Sequence, residues 1–308
     1  MALADTIEQG IARIAASLRA ICLLSGFLAL TLPLMPVQAV LVRFAPRRAN
    51  AFAHWYHKRV CRLLGIRLRI EGSLAKDRAV LLIANHTSWL DIPVISAVAP
   101  VSFVAKLEVA NWPFVSSLAR LQRTIFVDRA RRRTVGETAS EMINRLNAGD
   151  TLVLFAEGTS SDGNRVLPFK SSLFAAAKPP RGRMTAAPGT IVQTLAIVYT
   201  HLHGVPLGRA DRPHVGWYGD MVMGSHAWEL LKAGPLDVVV RLGPAVPLDS
   251  FADRKELARQ TELELRRNVV QLLRGEPAPV PVLPGTPRPV SAEPVSAERT
   301  TAVASQTL

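Results

Sequence analysis

From Ala20 to Val42 the chain carries no charged residue, and no other feature constrains its folding as strongly. As an α-helix the run AICLLSGFLALTLPLMPVQAVLV would extend about 35 Å, enough to cross the ~30 Å hydrocarbon core of a bilayer. Arg13 and Arg19 precede it, and Arg43, Arg47 and Arg48 follow it. Pro33 and Pro36 lie inside the run and are expected to kink a helix there, since each lacks the N–H that closes a turn. A spanning helix, a bent re-entrant hairpin and a cleaved signal peptide all fit such a run. The signal peptide fits least, because a basic segment and no small-x-small cleavage site follows. Basic residues continue at Lys58, Arg59, Arg62, Arg67 and Arg69, which by the positive-inside tendency puts the main domain on the cytoplasmic side of an inner membrane. Residues 1–50 are therefore read as a membrane-anchoring segment and 51–274 as the main domain. Residues 275–308, rich in Pro, Ala, Ser and Val, read as a disordered tail.

Beyond the apolar run the pattern is strand, turn, helix, repeated. IRLRI (66–70) alternates apolar and basic residues, as a half-buried strand does. VLLIAN (80–85) is a short apolar run ending in polar residues, as a fully buried strand does. VSFVAK (101–106), TIFVDR (124–129) and TLVLFAEG (151–158) repeat that design. Residues 134–146 have helical spacing, IVQTLAIVYT (191–200) and LDVVVRLG (236–243) supply two more strands, and a charged helix is expected over about 251–273. Strands alternating with helices predict an α/β fold, a mixed β-sheet flanked by helices.

The formal net charge is +13, so an anionic partner is expected: acidic lipid headgroups, an acidic carrier protein or nucleic acid. Nucleic acid is disfavoured, since no helix-turn-helix, zinc finger or interleaved aromatic and basic face is present and aromatics are only 6%. Two cysteines, Cys22 and Cys61, make neither a disulfide framework nor a zinc site and suit a reducing compartment. His201 and His203 alternate along one strand but have no evident third ligand, so no metal is expected.

Chemistry concentrates in ANHTSWLD, residues 84–91. His86 and Asp91 are five residues apart, about 500° on a helix, so they share no helical face. They can meet if His86 sits at a strand end and Asp91 in the first turn of the next helix, capped by Thr87 or Ser88. The carboxylate then holds one imidazole nitrogen while the other faces a substrate: a base and its orienter, with the substrate's own hydroxyl as nucleophile. The spacing alone is weak, and a histidine that merely satisfies a hydrogen bond would also produce it. A second polar cluster, FAEGTSSDGNRVLPFK (155–170), also follows an apolar strand, where sites form in α/β sheets.

Taken together, these blocks resemble those of the glycerolipid acyltransferases, the PlsC-like lysophosphatidate acyltransferase family. NHTSWLD is similar to its NHxxxxD motif, TIFVDR to its second block, FAEGTSS to its FPEGT block and TLAIVY to its fourth, in order over roughly 60–245. The resemblance implies a glycerol-3-phosphate acyltransferase-like fold, His86 and Asp91 as catalytic pair, and a substrate site drawn from Asn85, Arg129, Glu157, Gly158, Thr159 and Lys170. It also implies an acyl carrier protein or coenzyme A thioester as co-substrate, a lysolipid acceptor, a membrane setting, and neither cofactor nor metal. Ala156 replaces the usual proline, and Ser160 stands where lysophosphatidate acyltransferases carry arginine. Serine does not replace a guanidinium fork on phosphate. EGTSSDGNRVLPFKSSLF and YTHLHGVPLGRADRPHVGWYGDM look more like the lyso-ornithine lipid acyltransferase branch. The alternatives are a 1-acyl-sn-glycerol-3-phosphate acyltransferase, with Arg129, Arg165 and Lys170 as another route to phosphate, and more distantly a basic nucleic-acid-binding protein or an idle membrane scaffold.

Overall fold

A computed structural model describes residues 2–127, 132–175, 177–178 and 188–277. Asp128, Arg129 and all but the first three residues of the expected tail lie outside the described residues. The apolar run belongs to helix α1 (Ala2–Phe44), which continues through Pro33 and Pro36. Its stretch Ile7–Phe44 is long and apolar enough to cross a membrane and is mostly unburied. The helical run is interrupted at Ala45, and α2 (Pro46–Leu63) begins on a proline. A first-turn proline costs nothing there, because that N–H has no helical partner anyway. Thr31 and Tyr56 hydroxyls lie 2.7 Å apart, and Gln38 Nε2 donates to the carbonyls of Ala49 and Leu121, so polar bonds tie α1 to the body.

The sheet contains β1 (Ile66–Glu71), β2 (Val80–Ala84), β3 (Ser102–Lys106), β4 (Ile125–Val127), β5 (Thr151–Phe155), β6 (Ile191–Leu202), β7 (Val205–Pro206), β8 (Leu236–Leu242) and β9 (Val246–Pro247). Its order is β1-β8-β6-β2-β5-β3-β4, with the short β7 and β9 on β6. β2 runs parallel to both β5 and β6, and β3 runs parallel to β4 and β5. β8 is antiparallel to β6 and parallel to β1, so the sheet is mixed. The remaining helices are α3 (Asp91–Val98), α4 (Val115–Leu121), α5 (Arg132–Asn147), α6 (Met223–Ala233) and α7 (Arg254–Leu273).

Every residue of β2 is buried, which explains its unbroken apolar sequence. Leu82 and Ala84 pack with Val94 and Ile95 of α3, while Leu81 and Ile83 pack on the other face with Met142 of α5 and Leu257 of α7. Helices thus cover both faces, and β2 lies between its parallel neighbours with its carboxyl end free for chemistry. The position of α3 follows from α2: His54 Nδ1 bonds Ser96 O at 2.7 Å, and Cys61 packs into the same core.

At the β1 edge, Arg241 is buried and donates to Glu71 (2.7 Å), Gln271 (3.1 Å) and the Glu276 carbonyl (2.8 Å), joining β8, β1 and the end of α7. Glu71→Ala would leave that guanidinium without its counter-charge, at a cost of about 3 kcal/mol. The thermal unfolding midpoint should fall by roughly 6–12 °C, measured by circular dichroism.

Candidate active site

His86 lies two residues beyond β2, and Asp91 is the first residue of α3. The strand-end and helix-start placement brings them together: His86 Nδ1 and Asp91 Oδ2 are 2.8 Å apart. Asp91 is fully buried, so its charge must be met within the protein. Oδ2 also accepts from the backbone N–H groups of Thr87 (2.7 Å) and Ser88 (3.0 Å), and Oδ1 accepts from the Tyr199 hydroxyl (2.7 Å). Capping differs from the expectation. The N-cap is Leu90, with no side-chain cap, and the carboxylate of the first helical residue instead reaches back to the N–H groups of Thr87 and Ser88.

An ionised carboxylate only accepts, so the proton between the pair sits on His86 Nδ1, and in the neutral ring Nε2 is left with a lone pair. The imidazole stacks on Phe155 at the end of β5, centroids 4.1 Å apart and planes inclined by 20°. Its position is therefore set by a carboxylate at one edge and an aromatic ring on one face.

Asn85 extends the pairing of β2 with β6 by side chain. Its Nδ2 donates to Ile197 O (3.0 Å) and its Oδ1 accepts from Ile197 N (2.8 Å). Glu157 is buried, and its two oxygens accept from His86 N (2.8 Å) and Leu167 N (2.7 Å). It thus ties the histidine's backbone to the loop after β5. The Ser161 N–H to His86 carbonyl bond at 2.8 Å closes the same junction. Gly158 is buried in a left-handed turn, while Thr159 and Lys170 are exposed. His86, Asp91, Asn85, Glu157 and Gly158 converge, and Arg129 lies outside the described residues. His201 sits beside Asp237 (3.8 Å) on β6, and His203 lies beyond the strand.

Sequence reasoning missed Tyr199 and Phe155. Tyr199 lies 108 positions from Asp91, and only the β2–β6 adjacency joins them. A tyrosine directly after the apolar run Leu195–Val198 of β6 was its one available signal. Burial, then the Asp91 charge, push its phenol well above the ordinary value, so it remains a neutral donor. Burial pushes Cys61 up to about 12, leaving a thiol rather than a thiolate.

A carboxylate-fixed imidazole at the carboxyl edge of a sheet has the geometry that a general base acting on a hydroxyl needs. Comparisons with known proteins give the class of the chain. Residues 65–198 match the family model described as Acyltransferase. Lyso-ornithine lipid O-acyltransferase of Brucella abortus (strain 2308) is 44% identical over 263 residues, 85% of this chain and 98% of that protein. The protein of the same name from Rhizobium meliloti (strain 1021) is 43% identical, over 81% of this chain and 88% of its own. The crystal structure of the 1-acyl-sn-glycerophosphate acyltransferase PlsC from Thermotoga maritima has the same fold, with TM-score 0.60 and 24% identity over 85% of this chain and 97% of that one. This chain belongs to the acyltransferase family and is an acyltransferase.

Two measurements test the geometry. Tyr199→Phe removes one donor from a buried carboxylate, so kcat should fall roughly tenfold with KM nearly unchanged. The second concerns Glu157. Burial pushes its carboxyl up to about 8, against the lowering effect of the Leu167 and His86 N–H bonds. The folded form therefore binds this proton more tightly than the unfolded chain, near 4.5, does. Its stabilising contribution is full below that value and is lost as pH rises through about 8. Between about pH 5 and 8.5 the wild-type melting midpoint should carry this decline, and Glu157→Gln should show a shallower slope.

Proposed function

We propose that this chain transfers a fatty acyl group from a thioester donor to the hydroxyl of a lysolipid, with lyso-ornithine lipid as acceptor and His86 as the base. The observation that carries the reading is the 2.8 Å bond from His86 Nδ1 to a carboxylate already satisfied by three other donors. Nε2 takes the acceptor hydroxyl proton as the oxygen attacks the thioester carbonyl. The tetrahedral intermediate then collapses, the C–S bond breaks, and the imidazolium returns the proton to the leaving thiol. Asp91 stabilises the imidazolium between these steps. No acyl-enzyme is formed.

The identities of the Brucella and Rhizobium relatives support the ornithine acceptor, and so does Ser160. Its hydroxyl donates to the Trp217 carbonyl, so the position where lysophosphatidate acyltransferases carry arginine seats a loop. Glu157, both oxygens bound to backbone amides, acts by positioning His86. Gly158 and Thr159 border the acceptor, with Lys170 at the exposed rim. The donor is acyl carrier protein or coenzyme A thioester, to which the +13 chain offers an attractive surface. Residues 1–50 anchor the protein, and the basic residues after α1 place the catalytic domain on the cytoplasmic side.

The full-length protein in detergent micelles, given labelled acyl carrier protein thioester, should acylate lyso-ornithine lipid in preference to lysophosphatidate. His86→Ala should lower kcat by about 10³-fold or more with an unchanged circular dichroism spectrum. Near-normal turnover by that variant would refute the base assignment.

A further inference from the structure

We propose that Arg212 binds the carboxylate of the acceptor's headgroup; the inference rests on lyso-ornithine lipid being the acceptor. The segment between β7 and α6 is seated on both motif loops. Trp217 N donates to Thr87 O at 2.8 Å, and the Ser160 hydroxyl donates to Trp217 O. Two glycines permit this close approach. A Cβ on Gly216 would stand 3.2 Å from Ser161 O. One on Gly163, whose φ is +79°, would stand 3.1 Å from Thr87 Cγ2 and 3.6 Å from Arg212 Cβ. Edge-to-face packing of Trp217 on Trp112, centroids 5.6 Å apart, holds the segment from its other side.

The seating brings Arg212 to a narrow, solvent-open cleft lined also by Thr87, Gly163, Ile197, Val198 and Tyr199. Thr87 adjoins His86 in sequence, and Tyr199 donates to Asp91, so two of the lining residues are direct neighbours of the His86–Asp91 pair. The guanidinium is held by an amide rather than by a counter-charge. Nη1 donates to Asn164 Oδ1 at 3.0 Å, and Asn164 is in turn fixed by Asp162 and the Arg209 carbonyl. Among the described residues no carboxylate pairs with Arg212 directly, so its charge and remaining N–H groups are available to a ligand.

A guanidinium fork suits a carboxylate. Ornithine acylated through nitrogen keeps its carboxylate, on the same small headgroup whose acyl chain bears the reacting hydroxyl. Arg212, from a different loop, thus supplies the acceptor cation that the serine at 160 does not.

The test compares lyso-ornithine lipid with its carboxylate methyl ester, using full-length protein in micelles and one acyl carrier protein donor. The wild type should prefer the acid by about tenfold or more in kcat/KM. In Arg212→Gln, which keeps an N–H for Asn164, that ratio should collapse toward one, and Arg212→Lys should retain part of it. A wild-type ratio near one, or a ratio that survives in Arg212→Gln, overturns the proposal. The wild-type comparison needs no variant, so a misfolded substitution leaves the question decidable. A wild type that acylates lysophosphatidate but neither ornithine compound removes the acceptor reading and with it the carboxylate as ligand. A wild type that turns over the acid with no preference over the ester rejects the carboxylate contact alone and leaves the acceptor reading standing.

Discussion

The site depends on one buried carboxylate. Asp91 is fully enclosed, and an isolated charge there would cost many kcal/mol. Four donors offset the loss of water: an imidazole, two backbone N–H groups and a phenol. They come from the loop after β2 and from β6, so the carboxylate is satisfied only when α3, the β2 loop and β6 are all in place. Folding of this part of the sheet and orientation of the His86 ring are therefore the same event. The histidine gains a fixed orientation, and the carboxylate gains a partner that is better still once protonated.

Around this centre the loops hold one another. Glu157 and Ser161 fix the backbone of His86 from the β5 side, and Asn85 fixes it from the β6 side. Phe155 limits rotation of the ring. Several groups that could serve as ligands are occupied in this way, so recognition falls to residues farther out, on the segment carrying Arg212 and Trp217. Loops on a rigid sheet vary without disturbing the chemistry beneath them, which accounts for acceptors of different headgroup within one fold.

Much of the fold was legible in the sequence because β2, β3, β5, β6 and β8 are buried and apolar, and such runs announce themselves. His86 and Asp91 were legible because strand end and helix start are local features. What the sequence left hidden depends on strand order. β2 pairs with β6, more than a hundred positions away, and the bonds from Tyr199 to Asp91 and from Asn85 to Ile197 exist only through that pairing. The turn after α1 went unread for a different reason. Prolines inside an apolar run suggested a kink at Pro33 and Pro36, yet the helix continues to Phe44 and turns where Pro46 can open a new one. Ser160 was recognisable as a departure, but its use in seating the Trp217 loop was not.

We infer that Asp91 fixes the proton on His86 Nδ1 and leaves Nε2 free as the base. Nitrogen NMR of the full-length protein labelled at histidine, with the His86 signals assigned by their absence in His86→Ala, reads the tautomer directly. The neutral form of the ring should carry its proton on Nδ1 with Nε2 bare. A neutral ring protonated at Nε2 in the ligand-free protein would contradict it.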